Sequence, residues 1–321
     1  MNKILVTGCG GFIGFHLTKL LLEKELNTII GIDNLNNYYD PKIKYDRINI
    51  LKKNKKFFFY KFNLKNKSRL TRIIKKEKIN FIFHLAAQAG VRHSLERPQD
   101  YVDNNITVFL NILEVARYQK IKKILYASSS SVYGDCKDRL LNEYSKDEPA
   151  QFYAVSKKTN ELMASAYSKL FKLKLIGIRF FTVYGPYGRP DMALFKFTKN
   201  ILNSKPIEIF NKGKHKRNFT YVTDAVEILY KIYKLKLKKK HEVFNIANIK
   251  NYSLSQYIKQ LEICLDKKTT KKLLPLQLGD IPNVRADVGK TLNITKHKNF
   301  TPLKIGIEKF VLWYKKYYNV K

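Results

Sequence analysis

The chain has 321 residues, 45% of them apolar, enough for one large or two ordinary domains around an extensive core. Its 62 Lys and Arg against 26 Asp and Glu give a formal net charge of +36, but the lysines are scattered through every segment instead of lining one face, which argues against a nucleic-acid or anionic-membrane partner. Three cysteines far apart in sequence, Cys9, Cys136 and Cys264, suggest neither a disulfide framework nor a metal site. No apolar run approaches the ~18 residues of a membrane span, and Met1-Asn2-Lys3 leads straight into an apolar strand without a signal-type segment, so a cytoplasmic protein is expected.

Lys3-Ile4-Leu5-Val6 reads as a buried strand, followed by a glycine turn and a helix with Leu17, Leu20 and Leu21 on one face. Gly8, Gly11 and Gly14 keep a Gly-x-x-Gly-x-x-Gly spacing, in which backbone N–H groups approach a pyrophosphate at the helix N-terminus. A second strand, Thr28 to Ile32, ends in Asp33, placed to accept hydrogen bonds from an adenosine ribose and to repel a 2′-phosphate. This points to NAD over NADP. The βα rhythm continues through a strand at Phe57 to Phe62, a helix around Leu70 to Glu77, and a strand from Phe81 to Leu85 that opens into small residues, Ala86 to Gly90.

A helix is expected from about Pro98 to Tyr118, then the strand Lys123 to Ala127, which delivers the serine run Ser128 to Ser131 to the strand end where open α/β sheets place their ligands. Further on, Tyr153 and Lys157 stand four apart, so on a helix their side chains share one face, where an ammonium beside a phenol stabilises the phenolate as a base. Lys174 to Arg179 reads as another strand. Beyond it the rhythm loosens: a helix near Ala193 to Leu202, a short strand Ile207 to Phe210, and helices near Ser255 to Leu265 and Ile305 to Tyr318. The expected fold is α/β, a Rossmann-type doubly wound parallel sheet over residues 1–178 with 218–250 returning to it, and a smaller α/β substrate-binding domain in most of 179–321.

These features, with Val132-Tyr133-Gly134 after the serines and the Arg-x-Phe-x-Val-Tyr-Gly-Pro phrase from Arg179, resemble the extended short-chain dehydrogenase/reductase superfamily. Within it the chain is most similar to NAD-dependent nucleotide-sugar epimerases, above all UDP-glucuronate 4-epimerases, through the phrases Gly31 to Asp40, Ala87 to Arg92 and Thr182 to Ala193. The resemblance implies that Tyr153 takes the proton of the sugar O4 while hydride passes from C4 to NAD, and that the transient 4-keto sugar turns before both return. It implies catalytic roles for Tyr153, Lys157 and Ser129. NAD would contact Gly8, Gly11, Phe12, Ile13, Gly14, Asp33, Asn34, Asn63, Leu64, Leu85, Ala86, Ala87 and Lys157. The UDP-sugar would contact Arg92, Ser129, Ser130, Tyr153, Thr182, Arg189, Arg217 and Arg285. A homodimer through the Pro98 to Tyr118 and Tyr153 to Phe171 helices is implied as well.

Related 4,6-dehydratases carry an Asp-Glu pair ahead of the Val-Tyr-Gly phrase, and uronate decarboxylases carry a Glu there; Ser130-Ser131 offer no carboxylate, which disfavours elimination and decarboxylation. Thr182, Arg92 and Arg189 resemble the residues around the substrate carboxylate in uronate epimerases, and a planar guanidinium suits that group. Competing readings are a 4-epimerase of a neutral UDP-hexose or UDP-N-acetylhexosamine, a UDP-glucuronate decarboxylase, and a non-catalytic NAD-binding or basic nucleic-acid-binding protein. Three positions depart from the family pattern: Asn63 for an adenine-contacting Asp, and Asn218 and Thr223 for acidic residues after Arg217.

Overall fold

A computed structural model of the chain describes residues 3–24, 28–136 and 140–320. Met1 and Asn2, read above as leading into the first strand, lie outside them. The first half alternates strand and helix: β1 (Lys3–Thr7), α1 (Phe12–Lys24), β2 (Thr28–Asp33), α2 (Lys42–Lys52), β3 (Phe57–Lys61), α3 (Lys67–Glu77), β4 (Ile79–His84), α4 (His93–Glu96), α5 (Pro98–Tyr101), α6 (Val108–Tyr118), β5 (Lys123–Ser129), α7 (Phe152–Phe171) and β6 (Leu175–Phe180). The second half has shorter elements: β7 (Val183–Tyr184), α8 (Ala193–Leu202), β8 (Ile207–Ile209), β9 (Lys216–Arg217), β10 (Thr220–Tyr221), α9 (Val222–Lys234), β11 (His241–Ile246), β12 (Tyr252–Ser253), α10 (Leu254–Leu265), β13 (Lys271–Leu273), α11 (Gly289–Thr295) and α12 (Leu303–Tyr318).

Seven parallel strands form the main sheet in the order β11-β6-β5-β4-β1-β2-β3. The chain reverses direction across the sheet between β1 and β4, which opens a crevice at the strands' C-terminal ends. Both faces are covered, and that is why the strands read as unbroken apolar runs. Ile4, Val6 and Ile29 point into one core with Phe15 and Leu229, while Leu5, Ile30 and Ile32 point into the other with Phe109 and Ile112.

The 218–250 stretch supplies β11 at the sheet edge and α9 packed on α1, and α11 packs against both β11 and α9. A third core, built from Phe195, Tyr257, Leu261, Phe310 and Tyr314, joins α8, α10 and α12.

Two differences from the sequence reading bear on the site. The helix expected from Pro98 to Tyr118 is α5 and α6 joined by a π-helical turn, Val102–Thr107, a distortion that recurs at functional sites. Helix α2 was not foreseen, because buried Lys44 and Arg47 interrupt the apolar spacing of Ile43, Ile48 and Leu51. Among the described residues no helix is long and apolar enough to cross a membrane.

Candidate active site

A cleft of about 800 Å³ runs along the C-terminal ends of the main sheet and over the β7–α8 loop. At its centre β5 ends in Ser129, and a 3₁₀ turn, Ser130–Tyr133, carries the chain away. Helix α7 starts beside it, because the Gln151 side chain accepts the Ala154 N–H at 2.8 Å and caps the first turn. One turn of α7 then separates Tyr153 from Lys157, and both line the cleft.

The serines divide their work. Ser128 donates to Glu161 Oε1 at 2.6 Å, and Glu161 is gripped by Arg179 through Nε at 2.9 Å and Nη2 at 2.7 Å, so Ser128 belongs to a buried ion-pair network. Ser129 accepts the Ser131 N–H at 3.1 Å, and both it and Tyr153 line the cleft. The π-helical turn contributes Asn105, whose amide brackets the backbone of Gln88 and donates to Ser156 Oγ at 2.9 Å; Ser156 in turn donates to the Tyr153 carbonyl at 2.7 Å.

The electrostatics differ from the sequence expectation. Burial pushes the Tyr153 phenol above its ordinary value, and the groups that pull it back are the Ser129 hydroxyl and the charge of Arg189. Lys157 is turned instead onto the Ala127 carbonyl, 2.9 Å away, and burial lowers its ammonium to about 8.

At the end of the cleft beside β1, Gly8 has φ +74°, and a Cβ there would fall 2.7 Å from Ala86 N. A Cβ at Gly14 would fall 2.0 Å from the Gly8 carbonyl oxygen. Only glycines let the β1–α1 turn close against the β4 end and leave the α1 N-terminus open to a ligand. Asp33 accepts the N–H groups of Gly10 at 3.0 Å and Leu35 at 2.8 Å. Phe12, Ile13, Asn34, Asn63, Leu64, Leu85, Ala86 and Ala87 complete this lining, and Asn63 Oδ1 accepts the Lys65 N–H at 2.9 Å.

At the other end, Ser130, Thr182, Arg189 and Arg217 line the cleft. Arg189 is paired with Asp191. Arg217 donates to the carbonyls of Ile281 at 2.5 Å and Pro282 at 2.8 Å and to Asp280 at 3.2 Å. Arg92 lies at the mouth with its guanidinium over the Phe210 ring, 4.6 Å from the centroid. Arg285 does not join them: it is exposed and lies outside the cleft lining, while its neighbours Val284 and Ala286 point inward.

Sequence reasoning passed over Tyr38, Lys44, Asp191, His215 and Asp280, which also line the cleft. Among the departures, buried Asn218 donates to the carbonyls of Asn248 at 2.8 Å and Lys250 at 3.3 Å and accepts the Ala286 N–H at 2.9 Å, two donations that a carboxylate could not make. Thr223 is exposed on α9.

Residues 4–247 match the NAD dependent epimerase/dehydratase family. The chain belongs to that family. It is 45% identical to an uncharacterized protein of Methanocaldococcus jannaschii, over 98% of this chain and 96% of that one. It is 39% identical to a UDP-glucuronate 4-epimerase of Thermodesulfobacterium geofontis, over 98% and 97%. The crystal structure of UDP-glucuronic acid 4-epimerase from Bacillus cereus in complex with UDP-glucuronic acid and NAD superposes with a TM-score of 0.94 at 34% identity, covering 98% of this chain and all of that one. The residues present fit the family's NAD: a glycine cradle that any Cβ would fill, an acidic side chain at the end of β2, and Lys157 in the lining at the centre of the cleft.

Proposed function

We propose that the protein interconverts UDP-glucuronate and UDP-galacturonate by inverting C4 through a transient 4-keto sugar. The observation that carries this reading is one cleft lined by Ser129, the Tyr153 phenol and Lys157 together with Thr182 and the Arg189 cation.

NAD, when bound, supplies a reversible hydride acceptor. Gly8, Gly11, Phe12, Ile13 and Gly14 would hold its pyrophosphate, Asp33 and Asn34 its adenosine ribose, Asn63 and Leu64 its adenine. Leu85, Ala86, Ala87 and Lys157 would hold its nicotinamide half. Tyr153, as phenolate, takes the O4 proton when C4 is oxidised and returns it when C4 is reduced on the opposite face. Ser129 donates to the phenolate and orients O4. The phenol is half-buried in the cleft wall and a bound sugar would cover the rest of it, so the proton stays with the sugar–tyrosine pair. Ser130 and Ser131 provide no carboxylate for elimination. Arg217 is assigned to the diphosphate, and Thr182, Arg189 and Arg92 to the carboxylate end.

The reading extends to a cofactor-binding part, residues 1–178 with 218–250, and a mainly substrate-binding part, 179–321. It also includes a homodimer, supported by exposed Leu110 on α6 and exposed Val155, Leu162 and Leu170 on α7. The free thiols of Cys9 and Cys264 are compatible with a cytoplasmic address.

The test is incubation of purified protein with UDP-glucuronate and chromatographic separation of the nucleotide sugars. UDP-galacturonate is expected, with no net accumulation of NADH. Absence of that product from protein shown to carry NAD would overturn the proposal.

A further inference from the structure

The Arg189–Asp191 pair is built as a fork: Arg189 Nε donates to Asp191 Oδ1 at 3.0 Å and Nη2 to Asp191 Oδ2 at 2.5 Å. Tyr38 Oη adds a third donor to Oδ2 at 3.3 Å. Both members line the cleft, with the side chains only 23% and 25% exposed. A guanidinium offers a carboxylate two flat edges, the Nε/Nη2 side and the Nη1/Nη2 end. Asp191 occupies the side edge, so an incoming carboxylate meets the end edge of a cation that already has a counter-ion.

This matters for the chemistry proposed above, on which the inference rests. The keto sugar must present first one face and then the other to the same hydride site, so its carboxylate has to leave its ligand partway through turnover. A lone, partly desolvated guanidinium would hold it through two charge-assisted hydrogen bonds and resist that release. We propose that Asp191 is a positioning residue that fixes which edge of Arg189 faces the sugar carboxylate and moderates its grip, so that the keto sugar can turn.

Titration calorimetry of UDP and of UDP-glucuronate into NAD-loaded protein tests this, together with steady-state kinetics. In Asp191→Asn, UDP affinity should stay within about twofold of wild type, while the Kd for UDP-glucuronate falls by about threefold to tenfold and kcat falls by a similar factor, the signature of a clamp that has become too strong. Asp191→Glu, which restores the charge, should bring the Kd back toward wild type. A purely structural ion pair would move UDP and UDP-glucuronate together. If Asp191→Asn keeps UDP affinity but binds UDP-glucuronate equally or less tightly, the inference is wrong. Should that variant lose UDP binding, Asp191→Ser takes its place, and loss of UDP binding there too makes Asp191 structural and overturns the inference. Wild-type protein that binds UDP-glucuronate yet forms no UDP-galacturonate overturns the proposed activity and with it the turning of the keto sugar, whereas an unchanged Kd contrast in active protein overturns the role of Asp191 alone.

Discussion

Arg47, fully buried on α2, donates from Nη2 to the Gly188 carbonyl at 2.9 Å. The same nitrogen reaches the Tyr187 carbonyl at 2.7 Å, and Nη1 reaches the Gly10 carbonyl at 2.7 Å. One side chain thus ties the glycine turn of the cofactor end to the loop that presents Arg189, so the two ends of the cleft share a support. Arg47→Ala leaves three carbonyls short of a donor and should cost about 3 kcal/mol or more of stability. It should also lower the affinities for NAD and for UDP-glucuronate together. Thermal unfolding and titration with each ligand check this; loss of one affinity alone would refute the shared support.

Tyr153 and Ser129 make separable predictions. Tyr153→Phe should lose nearly all turnover while substrate binding is retained, because only the proton carrier is removed; a variant keeping a tenth of the rate would point to another base. Ser129→Ala removes a hydroxyl that favours the phenolate, so the Tyr153 pKa rises and the acid limb of the pH–rate profile moves to higher pH. An unmoved limb would mean that Ser129 acts on the sugar alone.

Asp33 is held by the Gly10 and Leu35 N–H groups, and in the proposed binding of NAD it faces the position of a 2′-phosphate. NAD should therefore bind at least about tenfold more tightly than NADP, a penalty of about 1.4 kcal/mol for placing phosphate beside carboxylate. Equal affinities in a fluorescence titration would exclude this role.

Oxidation at C4 of a uronate makes a β-keto acid, which loses CO₂ once the C5–carboxylate bond aligns with the carbonyl π system. Arg189→Ala should raise KM for UDP-glucuronate, by about 1.5–3 kcal/mol of lost charge-assisted binding. It should also increase the share of turnovers ending in a pentose nucleotide. Chromatography against pentose and hexuronate standards gives the ratio. Wild-type KM with no added pentose would remove Arg189 from the carboxylate site and favour a neutral sugar.

His84, buried at the end of β4 with Nδ1 2.9 Å from Thr7 Oγ1, has its pKa lowered to about 3 by burial and, secondarily, by the charge of Lys157. The unfolded chain binds that proton near pH 6.5 and the folded chain does not, so this contribution to stability is complete above about 6.5 and is lost as pH falls toward 3. Between pH 7 and 5 the loss from His84 should be about 2 kcal/mol. Denaturant titrations at the two pH values measure it, and His84→Gln should flatten the slope; an unchanged slope would assign the acid sensitivity to other groups.

What the amino-acid sequence determined by itself was local and periodic. Apolar runs such as Ile4 to Val6 and Phe81 to Phe83 become strands buried on both faces, Gly8 and Gly14 are required by a turn that no Cβ can enter, and the four-residue spacing of Tyr153 and Lys157 puts both on one face of α7 whatever surrounds it. Tertiary structure alone decided the partners. Helix α2 was hidden because its buried Arg47 finds its acceptors 37 and 141 positions away. Lys157 turned to the Ala127 carbonyl, 30 positions back, and Arg179 was committed to Glu161. Arg217 and Arg285 look alike in sequence, yet one is bound to Asp280 inside the cleft and the other faces outward. Burial and pairing of a charge depend on which distant segments fold against it, because desolvation is set by everything within a few ångströms and the chain reaches those neighbours only after it has folded.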